Sequence, residues 1–310
     1  MNTFAIRTDN LVRDFKTVRA VDHVSLEVPS GIVFGFLGPN GAGKTTMIRL
    51  LLGLLEPTGG HAEVLGCEIR SQAGAVREKT GALLEYTGLY ERLSAGDNLE
   101  FYGRAWRMPR PERQARIREL LTHFGHWERR NERVGTWSRG MKQKLAVART
   151  ILHRPSLIFL DEPTAGLDPV ASAALRDDLA ALSAREGITI FLTTHNLTEA
   201  EKLCAMVGVI NRGKLITVGH PDELRTRSGK ARTEIIGQGF TEGMLESLRE
   251  RPNIESVEHE NGRLWIASAG EAPMSPVIRF LVQAGAEIEE VRKGKASLEE
   301  AFLTLMEEEK

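Results

Sequence analysis

The chain has 310 residues, with 41 Lys and Arg against 42 Asp and Glu, so a formal net charge of −1 gives no bulk drive toward nucleic acid or a membrane surface. Hydrophobic residues make up 41% and charged residues 27%, which places the chain among folded globular proteins rather than disordered ones, and its length suits about two domains. Only two cysteines occur, Cys67 and Cys204, far apart, which excludes a disulfide framework or a cysteine metal knuckle and fits a reducing compartment.

Residues 1–10 lack the charged start and apolar stretch of a secretion signal. The longest apolar runs, such as Leu50–Leu55 and Met206–Ile210, fall far short of the ~18 residues of a membrane span. A cytosolic chain that crosses no bilayer itself is expected. Val24–Val28 and Ile32–Leu37 read as strands, followed by a helix from Gly43 to about Gly53. From Asn98 to about Arg149 the pattern is mostly helical, a subdomain at about 94–150. Its arginines Arg104, Arg107, Arg110, Arg113, Arg116 and Arg118 read as a solvated helix face, with a docking surface as the alternative. Leu157–Leu160 and Ile188–Leu192 are continuous apolar runs of the kind found in parallel strands buried on both faces. Helical patterns at 170–184 and 197–203 follow them, so the layout is α/β.

Charge divides the chain near His220–Pro221. Residues 221–310 carry 18 acidic and 12 basic side chains, while residues 1–220 carry 24 and 29. The expected division is 1–220 and 221–310. The second part reads as strand (233–236), helix (242–249), strand (254–259), strand (264–267), helix (273–284) and strand (288–291), a small α+β ferredoxin-like order. A last helix over 298–308 would bury Leu298, Ala301, Phe302 and Leu305 on one face.

Gly38-Pro39-Asn40-Gly41-Ala42-Gly43-Lys44-Thr45 fits G-x-x-x-x-G-K-[ST], the phosphate-binding P-loop, and Thr46 continues it into the helix. An apolar strand precedes the motif and a helix follows, which is the context it requires. Its backbone N–H groups and helix N-terminus suit phosphates. Lys44 would reach the β- and γ-phosphates, and the Thr45 hydroxyl would hold Mg²⁺. Leu157–Leu160 then delivers Asp161 and Glu162 at a strand end, where sites of such sheets lie. Asp161 is the expected Mg²⁺ ligand and Glu162 the base for an attacking water.

Trp137-Ser138-Arg139-Gly140-Met141-Lys142-Gln143 precedes that strand, and with it the chain resembles the ATPase subunits of ATP-binding cassette (ABC) transporters. Ser138 and Gly140 match the family signature LSGGQ, while Trp137, Arg139 and Met141 depart from it in the manner of the drug and antibiotic export ATPases. The resemblance covers about residues 4–220, and the segment Ala296–Phe302 also looks like the C-terminal extension of these exporters. It implies that Ser138 and Gly140 bind the γ-phosphate held by another cassette. It also implies that Ala165–Asp168 is the D-loop, with Asp168 at the dimer interface, and that His195 contacts the γ-phosphate as the switch histidine. Phe15 matches the aromatic that stacks on adenine, with a buried strand aromatic as the alternative. Glu85 stands where the family usually has a glutamine that senses Mg²⁺ and touches the membrane subunit. It carries over as a metal contact.

The resemblance therefore implies a P-loop NTPase of the ABC type that uses ATP and Mg²⁺, with a helical subdomain. Such a chain works as a homodimer or with a paralogous cassette, at the inner face of the membrane through an integral-membrane permease, and exports drug, antibiotic, lipid or similar cargo. No nucleic acid partner is expected. A cassette acting on the ribosome or DNA is the alternative, opposed by the single cassette and the absence of sustained heptads. A small-molecule kinase is opposed by the signature, D-loop and switch histidine.

Overall fold

The computed structural model describes residues 4–228, 232–268, 273–294, 298–299 and 301–303. It divides the chain between Gly219 and His220 into two units. The first opens with β1 (Phe4–Phe15), β2 (Val18–Pro29), β3 (Val33–Leu37), α1 (Lys44–Leu51), β4 (Gly59–Val64), β5 (Cys67–Glu68), α2 (Ala73–Lys79) and β6 (Thr80–Leu83). Three helices follow, α3 (Ala95–Ala105), α4 (Arg110–His123) and α5 (Arg139–Thr150). The unit closes with β7 (Leu157–Asp161), α6 (Pro169–Glu186), β8 (Thr189–Thr194), α7 (Leu197–Leu203), β9 (Met206–Asn211) and β10 (Lys214–Gly219).

The apolar runs become the centre of a six-stranded sheet, ordered β10-β9-β3-β8-β7-β6 and parallel except at the β10 edge. Every residue of β3 and β8 is buried. That is the condition under which a strand loses the usual alternation of apolar and polar positions. Phe34, Phe36 and Phe159 each lie 5.4–5.6 Å, centroid to centroid, from Phe191, which ties three neighbouring strands by aromatic packing. A second sheet, antiparallel and ordered β2-β1-β4-β5, shares one core with α1 through Ile6, Val24, Met47, Ile48 and Val64.

Some of the helices begin where a polar cap satisfies a first-turn N–H group. Ser94 accepts from Asp97 N to start α3, Ser138 from Met141 N to start α5, and Asp168 from Ala171 N to start α6. Gly187, at φ 64°, ends α6 in the left-handed region that glycine tolerates.

The arginine-rich helical segment differs from the solvated face expected of it. Arg113 and Arg116 are buried, at 7% and 0% exposure. Arg113 forks onto Glu100 at 2.7 and 2.8 Å, and Arg116 onto Glu186 at 2.8 and 2.9 Å while also donating to Ile151 O. These carboxylates and the carbonyl offset the cost of burying the two guanidinium groups.

The second unit begins with α8 (Pro221–Ser228) and continues through β11 (Arg232–Gln238), α9 (Glu242–Arg249), β12 (Ile254–Glu260), β13 (Arg263–Ser268), α10 (Ser275–Gln283) and β14 (Glu287–Gly294). The strands form an antiparallel sheet ordered β12-β13-β11-β14. Its core joins Ile235, Val257, Leu264 and Ile266 of the sheet to Leu245, Leu248, Val277 and Leu281 of the helices. This is the β-α-β-β-α-β order read from the sequence. Most of the expected last helix lies outside the described residues. Within it, Leu298 and Ala301 are buried.

Candidate active site

Pairing in the parallel sheet puts Leu37 of β3 beside Thr194 of β8, and Asp161 of β7 beside Thr193. The carboxyl ends of three adjacent strands therefore meet, which is where open α/β sheets hold ligands. Residues 38–43 leave β3 in a loop that closes by Ala42 N donating to Pro39 O (3.2 Å) and Gly213 N to Ala42 O (3.0 Å). Gly43, at φ 108°, turns the loop into α1, and a Cβ there would come within 2.3 Å of Ala20 O on β2. Only glycine fits.

Lys44 opens α1 and is 6% exposed. Its Nζ donates to Gly38 O (2.7 Å) and Pro39 O (3.2 Å) and lies 3.2 Å from Glu162 Oε1. Next to it, Thr45 Oγ1 donates to Asp161 Oδ2 at 2.7 Å, and Thr193 Oγ1 donates to Asp161 Oδ1 at 2.6 Å. The Thr193 hydroxyl also accepts from Glu162 N at 3.0 Å. That bond steadies a non-glycine residue at φ 48°, in the sparsely populated left-handed region. The other Glu162 oxygen, Oε2, faces His195 Nδ1 at 3.0 Å. His195 is mostly exposed and Glu162 only about a quarter so. Lys44, Glu162, His195, Thr193, Asp161 and Thr45 thus form one connected chain of hydrogen bonds and an ion pair.

A cavity of about 340 Å³ opens on this chain, lined by Thr45, Asp161, Glu162, Glu85, Arg139, Gln143 and three others. Glu85 follows β6, whose pairing with β7 sets it beside the two strand-end carboxylates. The oxygen donors of Thr45, Asp161 and Glu85 suit a hard cation such as Mg²⁺. Among the described residues no group of three or more His, Cys, Asp or Glu forms a metal cage.

Other expected site residues lie apart from this chain. Phe15 ends β1, 40% exposed, with the Arg13 guanidinium 4.5 Å from its ring centroid. It is not the buried strand aromatic given as the alternative. Ser138 and Asp168 are exposed and use an oxygen to cap their own helices, at 3.3 and 2.8 Å. A hydroxyl that accepts through its oxygen can donate as well. Gly140 lies in the first turn of α5, where a Cβ would meet Ala171 Cβ at 3.0 Å.

Three participants were not singled out from the sequence. Thr193 grips both Asp161 and Glu162, and a pair of threonines closing a mostly apolar strand was the available signal. Gln143 Nε2 donates to Pro163 O at 2.6 Å, and Arg139 packs over Gly166, so α5 holds the segment after Glu162. Both lie in the signature segment, but their partners are distant in sequence.

A family model described as "ABC transporter" matches residues 21–165. The daunorubicin resistance ATP-binding protein of Streptomyces coeruleorubidus is 35% identical over 97% of this chain and 95% of its own length. The bacitracin transport ATP-binding protein of Bacillus licheniformis is 33% identical over 97% of each. Among solved structures, the cbiO1 protein of Clostridium perfringens, part of the ABC transporter complex cbiONQ, superposes with a TM-score of 0.69 at 23% identity, over 81% of this chain and 96% of that one. A dimeric ATP-binding cassette bound to ADP and Pi superposes with a TM-score of 0.63 at 23% identity, over 69% and 98%. These two show the fold.

Proposed function

The chain belongs to the ABC transporter family as an ATP-binding, ATP-hydrolysing subunit, and from that premise we propose that it powers a separately encoded membrane permease which exports a drug, antibiotic, lipid or similar cargo. The observation that carries the reading is the chain of polar contacts from Lys44 through Glu162, Thr193 and Asp161 to Thr45 at the mouth of the P-loop. The near full-length similarity to two antibiotic-related ATP-binding proteins supports the export reading.

The loop Gly38–Gly43 and the N-terminus of α1, through Lys44, Thr45 and Thr46, cradle the phosphates of ATP. Lys44 exchanges Glu162 for the β- and γ-phosphate oxygens. That exchange frees a Glu162 oxygen to take the proton of the attacking water. Thr193 fixes Glu162 from behind, and His195 holds its other oxygen while facing outward toward the γ-phosphate. Thr45, Asp161 and Glu85 hold Mg²⁺, which when bound neutralises charge on the transferring phosphoryl group. Phe15 stacks on adenine.

A second copy, or a paralogous cassette, completes the site. Its Ser138 hydroxyl and Gly140 N–H donate to the γ-phosphate, and its Asp168 lies at the interface. The two sites of a symmetric pair are equivalent. The unit of residues 221–310 is an accessory domain to this motor. The permease holds the chain at the cytoplasmic face of the membrane. Phosphate release from Mg-ATP by the purified protein, compared with Lys44→Ala, tests the enzyme. Co-purification with a co-expressed permease encoded beside it tests the assembly. Turnover surviving in Lys44→Ala, or a neighbouring permease that never co-purifies, contradicts the corresponding half.

A further inference from the structure

Glu85 lies two residues beyond the end of β6, and the structure fixes the chain at two points, three residues to either side of it. On one side, Arg149 Nη2 in the last turn of α5 donates to Ala82 O at 3.2 Å. On the other, the Tyr102 hydroxyl of α3 donates to Gly88 O. The two anchors also touch each other, since the Arg149 guanidinium carbon lies 5.1 Å from the Tyr102 ring centroid. Gly88 packs beneath both, a Cβ there falling 3.4 Å from Tyr102 Oη and 3.5 Å from Arg149 Cζ.

The contact between α5 and β6 is backbone-tight. A Cβ on Gly81 would sit 2.1 Å from Thr150 O, so only glycine lets the strand approach the helix end. Just beyond α5, His153 Nε2 donates to Thr80 O at 3.0 Å, which extends the same grip along the strand. Arg149 is itself unusual. Its Nε is buried with no hydrogen-bond partner, and among the described residues no carboxylate pairs with it. Burial pulls its pKa below the ordinary arginine value. A guanidinium kept without a counter-charge offsets that penalty only through the carbonyl and the ring it holds.

We propose that Arg149 and Tyr102 are positioning residues for Glu85: a two-point clamp from α5 and α3 that sets how far the Glu85 carboxylate reaches into the cavity beside Asp161 and Thr45. This rests on the assignment of Glu85 to the metal. The helix capped by Ser138 carries Arg149 in its last turn, so the clamp joins the end of α5 assigned to a second cassette to the carboxylate serving this chain's own nucleotide.

The test measures metal affinity. Mn²⁺ is titrated into equimolar full-length protein and a non-hydrolysable ATP analogue, with free Mn²⁺ followed by electron paramagnetic resonance. Tyr102→Phe removes one hydroxyl and should weaken Mn²⁺ binding about fivefold, the worth of one hydrogen bond. Arg149→Lys keeps the charge but not the flat fork that spans ring and carbonyl, and should act alike. Nucleotide affinity without metal and the thermal midpoint of Tyr102→Phe should stay at wild-type values. Glu85→Gln should weaken Mn²⁺ binding, and Tyr102→Phe added to it should change nothing more, because the two act through one contact. Wild-type Mn²⁺ affinity in Tyr102→Phe beside a weakened Glu85→Gln overturns the clamp and leaves Glu85 on the metal. Additive losses in the double variant also overturn the clamp. Wild-type affinity in Glu85→Gln overturns the metal assignment itself, and the clamp with it.

Discussion

Lys44 is surrounded by acceptors, with Gly38 O, Pro39 O and Glu162 Oε1 all within 3.2 Å. Its replacement by alanine therefore removes the phosphate ligand and leaves Glu162 without its cation. ATP affinity measured by calorimetry should fall by about 2–4 kcal/mol, the scale of charge-assisted hydrogen bonds. Thr193 gives a different signature. Thr193→Val keeps the shape of a buried position but strips the hydroxyl that serves Asp161 and Glu162 together. Turnover should drop roughly tenfold, with the ATP dissociation constant within about twofold of wild type. Equal losses in both would mean that Thr193 supports the loop rather than the base. Lys44, Thr45, Asp161 and Glu162 were legible because each belongs to a short pattern whose chemistry is carried by local spacing. Thr193 was not, since its role arises only when β7 and β8 pair and bring residues 161 and 193 side by side.

At the scale of elements, the same limit explains the arginines. Arg116 is fully buried because Glu186, 70 residues away at the end of α6, meets it there. A periodic reading of α4 alone cannot supply that partner. Arg116→Met should lower stability by about 2–4 kcal/mol in urea unfolding, the range for breaking a buried pair, reduced because Glu186 keeps some solvent. For Glu186, burial alone would raise the pKa, but hydrogen bonds from Arg116 and then Arg185 bring it down from 4.5 to about 2. The Arg113 hydrogen bonds likewise hold Glu100 down at about 2. Because both folded values lie below the unfolded 4.5, their stabilisation is full above that pH and disappears as pH falls toward 2. The urea midpoint should fall between pH 6 and pH 3, and fall less in Arg116→Met. An equal fall in both proteins would deny Glu186 its share. The central strands and the tail elements were legible from continuous or alternating apolar runs. The antiparallel sheet largely was not. In β1 the register shifts around Asn10, at φ 44°, so Leu11 and Val12 are both buried and the alternation breaks. β6 is only Thr80–Leu83, with a glycine at its second position, too short and too bare to stand out as a strand.

At the scale of the whole molecule, the exposed Ser138 and the buried Lys44 cannot both serve one nucleotide within one chain if Ser138 acts in trans. Ser138→Arg and Lys44→Ala proteins should each be inactive alone. Mixed, they should form a heterodimer with one site carrying both lesions and one carrying neither, and phosphate release should return. Two inactive proteins that stay inactive together would deny the composite site or the sufficiency of one intact site. The measurement that bears most directly on the account is made with Glu162→Gln. The substitution keeps size and hydrogen-bonding capacity but removes the base, and turnover should fall by about 10²–10⁴-fold. The P-loop, Phe15 and Ser138 are untouched, and losing a charge beside Asp161 and Glu85 favours the triphosphate. ATP should therefore bind, draw two chains together and remain intact. On a sizing column the variant should elute as a dimer with Mg-ATP and as a monomer with ADP, while wild-type turnover in a Glu162→Gln protein that stays monomeric with ATP would contradict it.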